Sequence, residues 1–196
     1  MRRRRWYFNK WVVLLYIVAA QMGWGIYKFH RDFSLWCAAF RGDLAATDHY
    51  LNRGANPDAR WQGLHALGGA IWKGHRQTAF LLVRRGADPN LAVSQVIRHG
   101  DPVLLNAMLS RGLNVRGEEG SKALPLAVIH GKPEMVKILL QCGADPFARE
   151  QDSGDTVLKI AQEQAAQKAS GSSRVLSLLR SATTEKEQGT ISKGGR

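Results

Sequence analysis

The chain has few cysteines and none of the short motifs that usually carry catalysis. Only Cys37 and Cys142 are present among 196 residues, and they fall in the first and fourth of the repeated units described below. A disulfide needs Cα atoms within about 7 Å, so we expect two unpaired, packed thiols. The sequence contains no GxSxG, P-loop, HExxH or CxxC motif, and its six histidines are scattered without ligand spacing. It therefore predicts no enzyme, no metal site, no cofactor and no small-molecule substrate.

Acidic residues are missing from the first 31 positions, which hold seven basic residues. The whole chain has 28 Lys and Arg against 16 Asp and Glu, for a formal net charge of +12. Positions 32–181, however, hold 18 basic and 14 acidic residues. Because the excess is concentrated near one end, it does not indicate a broad polyanion-binding surface. We expect no nucleic-acid partner.

Long uncharged runs are also scarce, and the single prominent one is Trp11 to Tyr27, whose one polar side chain is Gln21. Seventeen residues at 1.5 Å each span about 26 Å, near the lower limit for a bilayer core. Four consecutive arginines, residues 2–5, favour an N-terminus that stays in the cytoplasm. We expect residues 1–31 to form a single-pass signal anchor that places the rest outside the cytoplasm, in the periplasm if the source is bacterial.

Two other interpretations of this segment stay open. Small residues at 18–20, before Gln21, resemble a peptidase site, so the segment could be a cleaved signal that releases a secreted soluble protein. Against cleavage, the apolar run continues through Trp24 and Ile26. The segment could also be a peripheral or buried helix.

A glycine interval organises the remainder of the chain. Four times a glycine is followed by another twelve residues later, at positions 42 and 54, 74 and 86, 100 and 112, and 131 and 143. The second glycines lie 32, 26 and 31 residues apart. Each interval encloses an apolar pattern that predicts a helix ending at a glycine. A period near thirty with fixed internal spacing is typical of a solenoid.

Three stretches carry a family resemblance: 79–90, 136–145 and 154–161. They are similar to the ankyrin repeat pattern, GxTPLHxAAxxGH, a second helix and LLxxGADxN, and the resemblance extends over about 150 residues. It implies an all-α ankyrin-repeat solenoid over 32–181, with about four repeats and a degenerate C-terminal capping repeat, preceded by the N-terminal apolar helix. The third unit lacks the GxT stretch of the hairpin, called the finger, that precedes the first helix of a repeat. We expect a short final helix around Val175 to Leu179 and a disordered tail over 182–196.

The resemblance also places a binding groove. In the ankyrin architecture the two residues before each mid-repeat glycine face the concave side, flanked by the finger hairpins. The candidate partner-binding residues are Phe40, Arg41, Trp61, Gln62, Trp72, Lys73, Arg98, His99, Ile129 and His130. Aromatic residues and arginine supply binding hot spots, and cations favour acidic partners. We expect exposed Phe40 and Trp72 to contact an acidic or apolar surface. The later fingers are richer in acids, with Glu118 and Glu119 followed by Asp152 and Asp155, which predicts a more basic partner surface near the last two repeats.

The sequence therefore predicts a membrane-tethered ankyrin module that recognises a protein partner, as an adaptor or as an inhibitor or immunity-type protein. The alternative is a binder of polyanions or membrane surfaces, which would use Arg41, Lys73, Arg84, Arg85 and Arg98. That alternative predicts steep salt dependence and little selectivity. A partner loop entering the gap left by the missing third finger is a further hypothesis.

Overall fold

The computed structural model describes the backbone of residues 10–151, 153–167 and 171–193. Side chains are described for residues 27–151, 153–167 and 171–186. In chain order the helices are α1 (Lys10–Arg41), α2 (Leu44–Asn52), α3 (Ala66–Trp72), α4 (Arg76–Arg84), α5 (Val93–His99), α6 (Pro102–Ser110), α7 (Glu118–Ser121), α8 (Ala123–Ile129), α9 (Pro133–Gln141), α10 (Val157–Ala166) and α11 (Ser172–Lys193). The antiparallel strands β1 (Arg60–Trp61) and β2 (Leu64–His65) form a hairpin between α2 and α3.

The glycine interval marks the ends of the second helix in each of the first four units. All eight glycines have positive φ angles, between +57° and +99°, and α2, α4, α6 and α9 each lie between the two glycines of their unit. The left-handed backbone turns the chain after one helix and ends the next. The mostly helical fold therefore agrees with the predicted all-α repeat architecture.

Finger structure differs from unit to unit. The second unit has the β1–β2 hairpin, whereas a 3-10 turn over Pro89–Ala92 leads directly into α5 in the third. Helix α5 has seven residues, as α3 and α8 do, so the short third unit lacks finger residues and keeps its helix. In the fourth unit Glu118 and Glu119, expected in a finger, begin the short helix α7 instead.

The core runs as one continuous apolar layer between the helices. The first helices of the four units are α1, α3, α5 and α8. Each of them buries a large apolar side chain that is at most 1% exposed: Leu35, Leu67, Ile97 and Leu124. Leucines and methionines of the second helices pack against them, among them Leu82, Leu104, Met108, Met135 and Leu139. Because each unit buries its apolar face only against its neighbours, the stack is cooperative along its length.

Polar side chains tie one turn to the next. The carboxylate Oδ1 of Asp32 accepts a hydrogen bond from the backbone amide of Asn56 at 2.9 Å, and Asp58 Oδ1 accepts one from the Asp88 amide at 2.7 Å. Asn90 Oδ1 continues the series by accepting from the next turn. These bonds set the register between neighbouring units.

Helix α1 is continuous from Lys10 to Arg41, so the N-terminal apolar run and the first helix of the first unit belong to one element. Within the residues that the structure describes, no helix is long and apolar enough to cross a membrane. The side chains of residues 11–24 and Ile26 lie outside that description, as do the four arginines at 2–5. The predicted signal anchor stays a prediction.

The C-terminal helix corrects two expectations. We predicted a short final helix and a disordered tail from 182, but α11 is 22 residues long and continues through Lys193. The tail is held against the last turn: Lys186 Nζ lies 2.7 Å from Asp145 Oδ1 and over the Phe147 ring, 5.4 Å from its centroid. Residues 194–196 lie outside the described residues.

The prediction of two packed thiols was wrong for one cysteine. Both are free, as expected, and Cys37 is half-buried in α1. Cys142, in contrast, is exposed, because it follows the last residue of α9 on the outward side of that turn. The buried face of α9 is supplied by Met135, Val136 and Leu139.

Candidate functional site

The ten predicted partner-binding residues lie at the ends of the first helices and on the β1–β2 finger. All are exposed except Phe40 and Trp61, which are half-buried. Trp72 is 65% exposed, the highest value among the large apolar side chains described. The expectation of an exposed Phe40 is therefore wrong, and the reason is that its ring is covered by neighbouring aromatic rings.

Six aromatic side chains form a continuous series that we call the aromatic ladder: Phe29, Phe33, Trp36, Phe40, Trp61 and Trp72. On α1 the first four are three or four residues apart, which places them on one face of the helix. Their ring centroids follow at 6.3, 6.5 and 4.9 Å, and Trp72 of α3 continues the series 6.0 Å from Phe40. Trp61 joins from the finger, with its ring 4.7 Å from Phe33 in an edge-on arrangement.

The finger is anchored onto this ladder by a hydrogen bond. The indole Nε1 of Trp36 donates to the Leu64 carbonyl at 2.9 Å. In the same hairpin Gln62 adopts φ +47°, a left-handed conformation that places it at the tip of the turn. The finger therefore holds Trp61 against α1. We did not predict Phe29, Phe33 or Trp36 as site residues, although their spacing with Phe40 is visible in the sequence.

Lys73 is held over the end of the ladder. Its Nζ lies 4.8 Å from the centroid of Phe40 and 5.1 Å from that of Trp72. Both distances are within the range of cation–π attraction, which is strongest when the cation is shielded from water. The side chains of Phe40, Trp72 and Lys73 thus form one aromatic and cationic surface. They belong to two of the predicted pairs, Phe40–Arg41 and Trp72–Lys73.

A cleft connects this surface with the third unit. It has a volume of about 610 Å³ and is lined by Leu64 and Trp72 on one side and by Ser94, Arg98 and His99 on the other. Trp72, Arg98 and His99 were predicted independently from their positions in the repeat. The fold places them around one cleft.

The C-terminal half of the groove contains a cavity of about 510 Å³ that we call the cationic pocket. Four cationic side chains line it: Arg98, Arg116, Lys122 and Arg149. Ile129, one of the predicted residues, also lines it. Arg116, Lys122 and Arg149 were missed, because they come from three different turns and occupy no common position in the repeat.

His130 lies beside this pocket at the end of α8. Partial burial lowers the pKa of its imidazole below the ordinary 6.5, and the positive charges of Arg98 and Lys132 lower it further. Each of these effects disfavours the charged form of the ring. Burial is the larger cause of the shift, and the two cations act in the same direction.

The cations of the polyanion alternative are partly engaged by the protein itself. Arg85 forms an ion pair with Asp48 and donates to Asn52 Oδ1 at 2.7 Å, and Lys73 lies over two aromatic rings. Arg84 and Arg85 lie at the C-terminal end of a second helix, whereas Arg98 lies in the last turn of a first helix. The cations of this alternative therefore come from both sets of helices. Over the described residues, no group of three or more His, Cys, Asp or Glu side chains could hold a metal ion.

The described chain thus forms a helical repeat protein in which Ser94 and Arg98 line both the cleft beside Trp72 and the cationic pocket. The ankyrin repeat family model matches residues 119–151, a stretch that contains α8 and α9 and the turn that follows them. This match supports an ankyrin repeat protein, and ankyrin repeats generally mediate protein–protein interaction and are typically non-catalytic. No curated protein matches the chain.

Proposed function

We propose that residues 32–181 form an ankyrin solenoid that binds a protein partner through its concave groove, and that the N-terminal segment tethers it to a membrane. The partner surface that contacts the aromatic ladder is apolar with acidic groups around it. The solenoid acts by occupying that surface without chemical turnover, either as an adaptor or as an inhibitor or immunity-type protein.

One observation carries the groove assignment: Trp72 is 65% exposed although a ring of Phe40 and the Lys73 ammonium are held against it. A tryptophan with so much free surface is costly in water, and tryptophans in such positions are enriched among binding hot spots. Lys73 and Arg41 supply positive charge next to it, which favours carboxylates on the partner.

The tether proposal depends on the sequence of the N-terminal segment. Residues 11–27 are uncharged and the four arginines at 2–5 precede them, a pattern that favours a cytoplasmic N-terminus and an extracytoplasmic repeat domain. Since α1 passes from this run into the first unit without a break, a membrane-spanning run would hold the aromatic ladder close to the bilayer surface. Reporter fusions after residue 31 test this topology, and activity of a reporter that works only in the cytoplasm would contradict it.

The binding proposal is tested by affinity capture with the full-length chain in mild detergent. The bait with Phe40→Ala and Trp72→Ala is compared with the unchanged chain and with a control bait carrying Leu44→Ala and Val103→Ala. The control removes two apolar side chains that are 42% and 55% exposed on second helices, away from the groove. We expect the groove bait to lose a partner that both other baits recover. Equal recovery by all three baits would exclude the groove as the binding surface.

Salt dependence separates the proposal from the polyanion alternative. A polyanion or membrane-surface binder loses affinity steeply with salt, because each neutralised anionic charge releases a counterion. Recognition through the aromatic ladder predicts a strong effect of the Trp72→Ala substitution and only a mild effect of salt. The reverse pattern would favour the alternative.

A further inference from the structure

We propose that the cationic pocket binds an acidic loop of the partner protein, in the space that the third unit leaves open because it has no finger. This proposal rests on the proposed protein-binding function and specifies what the C-terminal half of the groove recognises. From the acidic later fingers we expected a basic partner surface near the last two repeats, whereas this proposal requires an acidic one.

The third unit lacks a finger between Gly86 and α5, a stretch in which every residue is described. In the second unit the finger lies over its own first helix: a Cβ added at Gly68 of α3 would be 3.2 Å from the Leu64 side chain. The third unit has only the 3-10 turn Pro89–Ala92 before α5. Ser94 and Arg98 of α5 consequently line open space. In the third unit, a segment of another chain can therefore occupy the position that the hairpin occupies in the second unit.

Three arginines contribute positive charge to the pocket. Arg116 Nε donates to the Gly143 carbonyl at 3.0 Å, and Arg149 Nη1 donates to the Gly154 carbonyl at 3.0 Å. A carbonyl oxygen positions a guanidinium without neutralising it. Among the described residues, no carboxylate forms an ion pair with Arg98. Two of the three arginines are thus held in place by neutral carbonyl groups.

Two of the acidic side chains near the pocket are bound by lysines. Asp145 lines the pocket, but its carboxylate is bound by Lys186, whose hydrogen bond lowers the pKa of Asp145. Lys122 is paired with Glu119 at 2.8 Å. Glu150 is the remaining acid of the lining, and it offsets one of the three arginines. The pocket therefore keeps a positive charge that a ligand can neutralise.

Part of the pocket lining is apolar. This part favours a peptide as the ligand over a simple polyanion. Leu124 and Pro125 form a buried floor, and Ile129 at the rim is 39% exposed. A cavity of about 510 Å³ is within the ~300–1,000 Å³ range of ligand sites, which are mostly apolar with a few placed polar groups. A loop with an apolar residue between two carboxylates matches this combination.

The test measures binding of fluorescein-labelled cyclic peptides to the full-length chain by fluorescence anisotropy. One peptide presents Glu-Leu-Asp in a turn and the other presents Gln-Leu-Asn in the same ring. We expect the acidic peptide to bind and its amide analogue to bind at least about tenfold more weakly, which corresponds to ~1.4 kcal/mol. Arg98→Gln and Arg149→Gln should each weaken the acidic peptide by a similar factor, because each removes a charged partner.

A matched control is Lys137→Gln, which removes a cation from α9 outside the pocket and should leave the affinity unchanged. Absence of binding at ~1 mM peptide, equal binding of both peptides, or an equal loss for the control variant would each overturn the proposal. Displacement of the acidic peptide by tripolyphosphate in all variants alike would also overturn it, in favour of a simple anion site. If the peptide fails while capture still depends on Trp72, the proposed function stands and only this inference falls.

Discussion

Replacement of Gly42 by alanine tests how the first unit is stacked on the second. Gly42 has φ +75°, and a Cβ at this position would lie 2.5 Å from Cγ and 2.7 Å from Cε1 of the His75 ring, which is closer than van der Waals contact allows. His75 is the residue that precedes α4 in the next unit. The substitution therefore combines two costs: backbone strain within one unit and a steric clash between two units.

The matched control is Gly86→Ala. Gly86 has φ +91° and no atom within 4 Å of an added Cβ, so only the backbone strain remains, at ~1–2 kcal/mol. Gly42→Ala adds the cost of overpacking, ~1–3 kcal/mol. We expect the free energy of unfolding to fall by about 2–5 kcal/mol for Gly42→Ala and by about 1–2 kcal/mol for Gly86→Ala.

Urea unfolding of the full-length chain in mild detergent, followed by far-UV circular dichroism, measures both values. A double-mutant cycle then isolates the clash: in a His75→Ala background, Gly42→Ala should cost no more than Gly86→Ala does. Independent sites add within about 0.3–0.5 kcal/mol. If the two glycine variants are equally destabilised and His75→Ala is additive with Gly42→Ala within that limit, the deduced packing of the first unit on the second is wrong.

Three further outcomes follow from the structure. Gly120→Ala should lower the free energy of unfolding by about 1–3 kcal/mol, because the added Cβ would lie 2.6 Å from the Asn114 carbonyl carbon; wild-type stability in urea would contradict this. Partial burial and two neighbouring cations hold the pKa of His130 below 6.5, so the unfolded state binds the proton more readily and stability falls as the pH drops below about 6.5. His130→Gln should flatten that dependence between pH 7.5 and pH 5.5, and an unchanged slope would refute it. Lys186→Ala should release the end of α11 from Asp145 and speed amide hydrogen exchange near residue 186 without changing exchange in α8, whereas unchanged exchange would show that the contact does not hold the helix.

Local sequence patterns predicted the helices and their limits well. The twelve-residue glycine interval reflects a local requirement, since a left-handed residue is needed at both ends of the second helix. It survives in the shortened third unit, where Gly100 and Gly112 still bracket α6. That interval alone was enough to assign the missing residues to the finger.

The two halves of the groove were harder to predict because they depend on contacts between distant segments. Phe29, Phe33 and Trp36 are regularly spaced on α1, but they become a site only when the finger brings Trp61 onto them. Two of the three arginines of the cationic pocket, Arg116 and Arg149, come from turns and are positioned by backbone carbonyls, whereas Arg98 comes from α5. Neither arrangement has a signature within one unit.

In the C-terminal tail, the sequence led us to expect less structure than is present. Its composition is polar and rich in small residues, which favoured disorder over 182–196. Composition does not register that Lys186 can reach the carboxylate of Asp145, 41 residues earlier in the chain. The buried Thr183 and this ion pair hold α11 against the last turn.

Site-specific photo-cross-linking in intact cells tests the central claim, recognition of a protein through the aromatic half of the groove, most directly. The full-length chain would carry p-benzoylphenylalanine in place of Trp72, or in place of Val103, which is 55% exposed on a second helix. We predict one discrete protein adduct from position 72 that is absent from position 103. The same adducts from both positions, or none from position 72 while the chain is folded and present, would contradict the claim.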